Sequence, residues 1–134
     1  MIKIQKKDFN IEKEIFSIKS QYSNIGAVSI FVGYVRDINE NKNVTSINLE
    51  VYKEMAFKKL TDVCNDAKKK WGIIDTLLIH RFGELSVNEK IVLVASFSSH
   101  RKNSFKSTEY IMEFLKKDAP FWKKEFYEKE SSWL

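Results

Sequence analysis

Segments with the period of a β-strand alternate along this chain with segments that have the period of an α-helix, and this order limits the fold class. Strand patterns occupy five segments: Met1–Gln5, Gly26–Val35, Val44–Tyr52, Ile73–Arg81 and Lys90–Ser99. The long parallel β-α-β series that is typical of a doubly wound sheet is missing. The order of the segments therefore predicts an α+β fold.

Apolar residues at helical spacing predict three helices. The first covers Asn10–Ser20, with Asp8 or Asn10 as its cap. The second covers Lys53–Trp71 and is followed by Gly72, a residue that commonly ends a helix.

The third helix is predicted over Arg101–Lys117, with Ser98 or Ser99 as its cap, and Pro120 ends it. Its packing stripe is predicted to consist of Phe105, Thr108, Met112 and Leu115, flanked by Ile111.

The segments between these elements are less regular in pattern. The polar run Asp37–Asn43 is predicted as a mobile loop. The segment 82–89, FGELSVNE, is long for a tight hairpin, so the strands on either side of it either pair or bracket a small motif. The tail Phe121–Leu134 is aromatic and charged, which indicates a partly helical segment that packs its aromatic residues, Trp133 among them.

Length and composition indicate a folded single domain over residues 1–134, because 43% of the residues are hydrophobic and 31% are charged. No apolar stretch reaches the roughly 18 to 20 residues that span a bilayer, and the first residues lack the apolar middle of a secretory signal. We therefore expect a cytoplasmic protein without membrane association. The single cysteine, Cys64, lies within a helical apolar pattern, which predicts a core position.

The charge distribution points to an oxyanion as ligand. The net charge is +5, and all but three of the 23 basic residues are lysines. The three arginines, Arg36, Arg81 and Arg101, each close an apolar run, and His80 and His100 directly precede the last two. Because a guanidinium group can bind an oxyanion with two parallel hydrogen bonds, arginines at strand ends are candidates for such a site.

His100 and Arg101 lie where a strand pattern gives way to a helix, and the free backbone N–H groups at a helix start favour an anion. This position predicts a phosphate site, with a simple surface pair as the alternative. A second cluster, LKKDAPFWKKE, sets lysines beside large apolar residues. Shielding by Phe121 and Trp122 would lower a lysine pKa and give a usable acid, base or nucleophile, with a solvated basic helix end as the alternative.

Common catalytic signatures are missing from the sequence: there is no GxGxxG, P-loop, HExxH, CxxC or GxSxG. The residues alone therefore predict a small basic α+β protein with an anion site. A nucleic-acid-binding module remains an alternative from another class, since aromatic residues and lysines are interleaved in the tail.

Five blocks of the sequence, taken in order, resemble those of the molybdopterin synthase catalytic (large) subunit family, the MoaE family. They are GAVSIFVGYVRD, LEVYKEMA, IIDTLLIHRFGEL, VLVASFSSHR and YIMEFLKKDAPFWKKE, within residues 26–125. The resemblance implies a hammerhead-type α+β fold with a mixed or antiparallel sheet and flanking helices. It also implies a homodimer that binds a small ubiquitin-like sulfur-carrier subunit at each end, which gives a 2:2 heterotetramer.

The activity implied by this resemblance is sulfur transfer in molybdenum cofactor biosynthesis. The carrier's C-terminal thiocarboxylate would supply two sulfurs to cyclic pyranopterin monophosphate, which becomes the dithiolene of molybdopterin. Neither a metal nor an organic cofactor is expected, because the sulfur arrives on the partner, and no nucleic-acid partner is expected. A relative that docks the carrier without catalysing the reaction is a further alternative.

Site residues follow from the same resemblance. Lys116 matches the family lysine beside the incoming thiocarboxylate and is the expected main catalytic group, and Lys123 is expected to assist it. Substrate binding is expected from Arg36, His100, Arg101, Lys124 and Glu125. Arg81 has two open interpretations, a site role and a role in supporting the fold.

Overall fold

The computed structural model describes residues 1–127, in which three helices and eight strands alternate. In chain order they are β1 (Ile2–Gln5), α1 (Ile11–Lys19), β2 (Ala27–Tyr34), β3 (Ile38–Asn39), β4 (Lys42–Val51), α2 (Lys53–Trp71), β5 (Asp75–Arg81), β6 (Gly83–Ser86), β7 (Lys90–Ser98), α3 (Arg101–Lys117) and β8 (Phe121–Tyr127). The predicted α+β class is confirmed. None of these helices is long and apolar enough to cross a membrane.

The main sheet has the order β1-β5-β7-β2, in which β1 is parallel to β5 and the other neighbours are antiparallel. Successive side chains of a strand point to opposite faces of a sheet, so each face has its own apolar core. On one face, Leu77 of β5 and Leu93 of β7 pack against Ile18 of α1 and against Phe9, which precedes this helix. On the other face, residues of β5 and β7 pack against α2 and α3, and the buried residues of this core include Leu60, Cys64, Leu78, Val94 and Ile111.

Local signals in the sequence account for several element ends. Of the two predicted caps of α1, Asp8 and Asn10, the structure has Asn10. Its Oδ1 accepts a hydrogen bond from the Lys13 backbone N–H at 2.9 Å. Gly72 ends α2 with a φ of 59°, a left-handed conformation that suits glycine. Cys64 is buried, which confirms its predicted core position.

Small polar residues and most of the predicted stripe together hold α3 against the sheet, since Ile111, Met112 and Leu115 pack in the core cluster of this face. The buried residues of α3 are Ser104, Ser107, Thr108 and Ile111. The hydroxyl groups of Ser107 and Thr108 lie 2.9 and 3.0 Å from that of Ser96 on β7, so these buried polar groups are paired. The predicted packing of Phe105 is wrong, because its side chain is 61% exposed.

Neither Ser98 nor Ser99 caps α3. The cap position is His100, whose side chain makes no capping hydrogen bond, and Ser98 donates instead to the His100 carbonyl at 2.6 Å. The first N–H groups of α3 therefore have no side-chain acceptor from the cap residue, which leaves them available to an anion.

A second, smaller sheet is built on β4, which pairs with β3, β6 and β8. Two predictions are wrong here. The predicted loop Asp37–Asn43 is a β-hairpin. The strands on either side of segment 82–89, β5 and β7, do pair, and the segment between them contains the short strand β6. The tail is a strand through Tyr127 and is not helical, because it pairs with β4 along seven residues, and residues 128–134 lie outside the described part of the chain.

Candidate functional site

A pocket of about 70 Å³ lies where β2 ends and the second sheet begins. It brings together three of the predicted site residues, Arg36, Lys123 and Glu125. The remaining lining residues are Tyr34, Val35, Ile38, Asn39, Ile47 and Ile91. An arginine, a lysine and a carboxylate therefore share one small cavity with an apolar wall.

The carboxylate of Glu125 is the most constrained charge in the pocket. Its side chain is 15% exposed. Asn39 Nδ2 donates to both carboxylate oxygens, at 2.7 and 2.9 Å, and the Tyr127 hydroxyl donates at 2.9 Å. Burial raises the pKa of Glu125, but these hydrogen bonds and the Lys123 charge together lower the pKa below its ordinary value.

Lys123 Nζ lies 3.7 Å from the Glu125 carboxylate, and the lysine side chain is 52% exposed. The two residues are two positions apart on β8 and point to the same face of the strand. A fixed carboxylate thus holds an ammonium group that solvent or a ligand can reach. Such a pair can stabilise a negative charge or exchange a proton.

Lys116 lies at the same end of the molecule as this pocket. The helix α3 runs back along the main sheet, and its Leu115 packs in one cluster with Phe121 and with Ile91, which lines the pocket. Lys116 follows Leu115 in the last turn of α3. The expected shielding is not present in the single chain, since Lys116 is exposed and Trp122 is 59% exposed.

Lys124 is placed differently from its two neighbours on β8. Because side chains alternate along a strand, Lys124 points away from the face that carries Lys123 and Glu125. Its Nζ lies 5.6 Å from the centre of the Phe126 ring. Within one chain, Lys124 therefore does not line the pocket.

His100 and Arg101 lie at the opposite end of the main sheet. In the β2–β7 register Ala27 is opposite Ser98, which leads into α3, whereas Tyr34 is opposite Lys90. At the usual rise of a strand, these two ends are roughly 25 Å apart. One chain alone therefore does not bring His100 and Arg101 to the pocket that contains Arg36.

Arg81 supports the fold. It is 5% exposed, and its guanidinium group donates to the Lys6 carbonyl at 2.9 and 3.1 Å and to the Lys90 carbonyl at 3.0 Å. The same group contacts the Glu89 carboxylate at 3.3 Å. These contacts tie the end of β5 to the segment after β1 and to the start of β7, and they favour the supporting role among the two interpretations.

We expect Arg81→Ala to lower the free energy of unfolding by about 3 kcal/mol, because the substitution removes the side-chain donor of two carbonyl groups and the ion pair with Glu89. Urea unfolding followed by circular dichroism measures this loss. Lys7→Ala, at an exposed site in the segment after β1, is the control and should change the free energy of unfolding by less than about 0.5 kcal/mol. An Arg81→Ala protein of unchanged stability would contradict the supporting role.

His80 connects β5 to the start of β8. Its ring stacks on Phe121 with 3.7 Å between ring centres, and its Nδ1 lies 2.8 Å from the Arg81 carbonyl. Burial lowers the pKa of His80 to about 4, although the contact with the carbonyl raises it. His80 is therefore neutral near pH 7. Its ring supports Phe121, which lies two residues before Lys123 on β8.

Sequence reasoning missed Asn39, because the segment that contains it was predicted as a loop. The signal that could have revealed it is the pair Glu40–Asn41 between two short β-compatible stretches. Asparagine favours the left-handed conformation of a tight hairpin turn, and both residues of this pair have positive φ, 51° and 65°.

Comparison with known proteins identifies relatives along nearly the whole chain. A family described as MoaE protein matches residues 4–118. The chain is 42% identical to a molybdopterin synthase catalytic subunit from Ralstonia nicotianae, over 99% of this chain and 76% of the relative. It is 41% identical to a protein of the same name from Vibrio cholerae, over 99% of this chain and 88% of that relative.

Solved structures give the same result. A molybdopterin biosynthesis MoaE protein from Burkholderia ambifaria superposes with a TM-score of 0.86 at 35% identity, and the match covers 98% of this chain and 93% of that one. The molybdopterin synthase structure from Staphylococcus aureus has a TM-score of 0.86 at 33% identity, with coverage of 96% and 92%. These relatives favour the enzymatic interpretation over the nucleic-acid-binding one.

Proposed function

Because this chain belongs to the MoaE protein family, we propose that it acts as the catalytic subunit of a molybdopterin synthase, an enzyme of molybdenum cofactor biosynthesis. It transfers sulfur from the C-terminal thiocarboxylate of a small ubiquitin-like carrier to cyclic pyranopterin monophosphate, which forms the dithiolene of molybdopterin. The observation that carries this proposal is the match to named catalytic subunits over 99% of the chain. The pocket of Arg36, Lys123 and Glu125 agrees with a phosphorylated substrate, because a guanidinium group can bind a phosphate with two parallel hydrogen bonds.

The proposed roles follow from where each group lies. Lys116 is exposed in the last turn of α3, at the end of the main sheet that carries the pocket, so the tail of a docked carrier would cover it and bring the thiocarboxylate against its ammonium group. Desolvation by that tail strengthens the attraction between the two charges. Lys123, held by Glu125, would stabilise charge or exchange a proton on the pterin, and Arg36 would bind the phosphate.

A second copy of the chain is proposed to complete the site. Among the described elements, β2 pairs only with β7, so its other edge is open. Apolar side chains flank this edge on both faces: Ile30 on the α1 side, and Phe31 and Phe105 on the α3 side, all of them exposed. An open apolar edge of this kind pairs readily with another strand.

The symmetry of such a pairing supports a shared pocket. If two β2 strands pair antiparallel about a two-fold axis between Ile30 and Phe31, then Ala27 of one chain lies opposite Tyr34 of the other. The register with β7 places the start of α3 next to Ala27. His100 and Arg101 of the second copy then come within roughly two strand spacings, about 10 Å, of Tyr34 and the Arg36 pocket.

The proposed assembly has one carrier on each copy, which gives a 2:2 heterotetramer. We place it in the cytoplasm, because a phosphorylated substrate does not cross a membrane unaided and is used in the compartment that makes it.

Reconstitution tests the proposed function. The purified protein is mixed with thiocarboxylated carrier and cyclic pyranopterin monophosphate, and the oxidised pterin product is measured by fluorescence. We expect product that depends on both additions. Stable carrier binding without product would identify a carrier-docking relative, and a protein that binds oligonucleotides in a steeply salt-dependent manner and ignores the carrier would restore the nucleic-acid alternative.

A further inference from the structure

We propose that Asn39 is a positioning residue for this site, which fixes the Glu125 carboxylate and through it the ammonium group of Lys123. This inference rests on the proposed function for its kinetic consequences. The contact itself does not depend on that function, because it is a feature of the folded chain.

The β3–β4 hairpin determines where Asn39 lies. Its two-residue turn, Glu40–Asn41, has positive φ at both positions, which is the geometry of a tight hairpin whose twist matches its strands. Asn39 is therefore held directly opposite Lys42 in the ladder. The Val44 N–H donates to the Asp37 carbonyl at 2.7 Å and closes the hairpin below the turn. The backbone of Asn39 is thus held by the hairpin through contacts that do not involve its side chain.

The side chain of Asn39 makes two hydrogen bonds to one carboxylate. Its Nδ2 lies 2.7 Å from Oε1 of Glu125 and 2.9 Å from Oε2. A donor shared by both oxygens restricts the rotation of the carboxylate and occupies a lone pair on each oxygen. One of these oxygens, Oε2, is the atom that lies 3.7 Å from Lys123 Nζ. The hairpin therefore sets the position of the lysine through a single carboxylate.

Asn39 is the donor that connects Glu125 to another element of the fold. The second donor, Tyr127, lies on β8 itself, two residues from Glu125, and is exposed. It moves with the strand that it would have to position. Among the described residues that contact this carboxylate, Lys123 and Tyr127 lie on β8 itself, whereas Asn39 lies on β3.

The charged groups that face Glu125 determine how far removal of the Asn39 amide changes the pKa of this carboxyl group. Lys123 and Tyr127 face it from β8, and Arg36 lines the same pocket from the segment after β2. From the hairpin, Lys42 lies over the Tyr127 ring with Nζ 5.1 Å from its centre. Lys123, Arg36 and Lys42 are cations. The hydrogen bond to Glu125 raises the pKa of Tyr127, and the Glu40 carboxylate in the hairpin turn raises it further. Removal of the neutral Asn39 amide leaves all of these charges in place but removes the hydrogen bonds that favour the ionised Glu125 carboxylate.

The test compares Asn39→Ala and Asn39→Ser with the natural protein in the reconstituted reaction. We expect kcat to fall roughly tenfold in Asn39→Ala with little change in KM for the pterin, since the effect is on the geometry of an acting group. The acidic limb of the pH–rate profile should move to higher pH, because Glu125 loses donors that stabilise its charged form. Asn39→Ser, which can donate one hydrogen bond, should give intermediate values.

A double substitution separates positioning from general stability. If Asn39 acts through Glu125, then Asn39→Ala should cost little further activity when it is added to Glu125→Gln. Asn48→Ala is the matched control: Asn48 lies on β4 directly after Ile47, a pocket residue, and its side chain points to the other face. It should leave both kcat and the pH profile unchanged.

An NMR titration of the Glu125 carboxyl group gives a readout without catalysis. A higher pKa in Asn39→Ala than in the natural protein supports the proposal. The same pKa in both, or an activity loss that adds in full to that of Glu125→Gln, would overturn it. A natural protein that makes no product would overturn the proposed function, and in that case the titration still decides whether Asn39 controls Glu125.

Discussion

Replacement of Lys116 by alanine is expected to lower kcat for sulfur transfer by about 10²- to 10⁴-fold, the usual contribution of a positioned proton-transfer group. Lys116 lies exposed in the last turn of α3, where we propose that the carrier tail is received. The substitution removes a surface ammonium group, so the fold should remain intact. Carrier binding should also remain, because the docking surface is much larger than one side chain.

Lys117→Ala is the matched control for this experiment. The two lysines are adjacent, exposed and on the same helical turn, and Lys117 forms a surface ion pair with Glu113 at 3.6 Å. Such a pair contributes little to stability, so Lys117→Ala should keep activity within about twofold of the natural protein. Equal losses of activity in Lys116→Ala and Lys117→Ala would show that the effect comes from surface charge in general. Full activity of Lys116→Ala would remove Lys116 from the mechanism.

A mixture of the Lys116→Ala and Arg101→Ala variants is expected to recover activity if each pocket takes Lys116 from one copy of the chain and Arg101 from the second copy. Arg101→Ala alone should raise KM and lower kcat/KM by roughly 10- to 100-fold, through the loss of a charged hydrogen bond to the substrate. In a mixed dimer with Lys116→Ala, one of the two pockets contains an intact Lys116 and an intact Arg101. After random exchange of subunits, about a quarter of all pockets should be complete.

The measurement is kcat/KM of the co-refolded mixture against each variant alone. Recovery to about a quarter of the natural value supports the shared pocket, because a pocket built from one chain would never be complete in any combination of these variants. Phe31→Glu, introduced into both variants, should prevent recovery, since it places a charge on the open edge of β2. A mixture no more active than its components would contradict the shared pocket.

Several elements could be read from the sequence because their signals are local. The bounds of α2 and α3 were predicted as they are observed, since the apolar spacing lies within each helix and a helix-ending residue, Gly72 or Pro120, follows closely. The family could also be identified, because the block around Lys116 and Lys123 is short and specific. The matched family and the named relatives confirm that identification.

The second sheet could not be predicted in the same way. The strand β8 forms because β4, about 75 positions earlier in the chain, offers a free edge. The local pattern of an aromatic, lysine-rich tail does not indicate that β4 is its pairing partner. The hairpin that holds Asn39 was hidden for a related reason. Its ladder is short and polar, and its contact with Glu125 joins residues 86 positions apart.

The sequence by itself determined the α+β class, most of the elements and the family, because periodicity and short blocks of residues are properties of neighbouring positions. Tertiary structure alone decided which charges meet. It joined Arg36, Lys123 and Glu125 in one pocket and buried Arg81 as a support. It also placed His100 and Arg101 at the far end of the sheet. The physical reason is that strand pairing and helix packing set distances between residues that are remote in the chain, and electrostatic interactions depend on those distances.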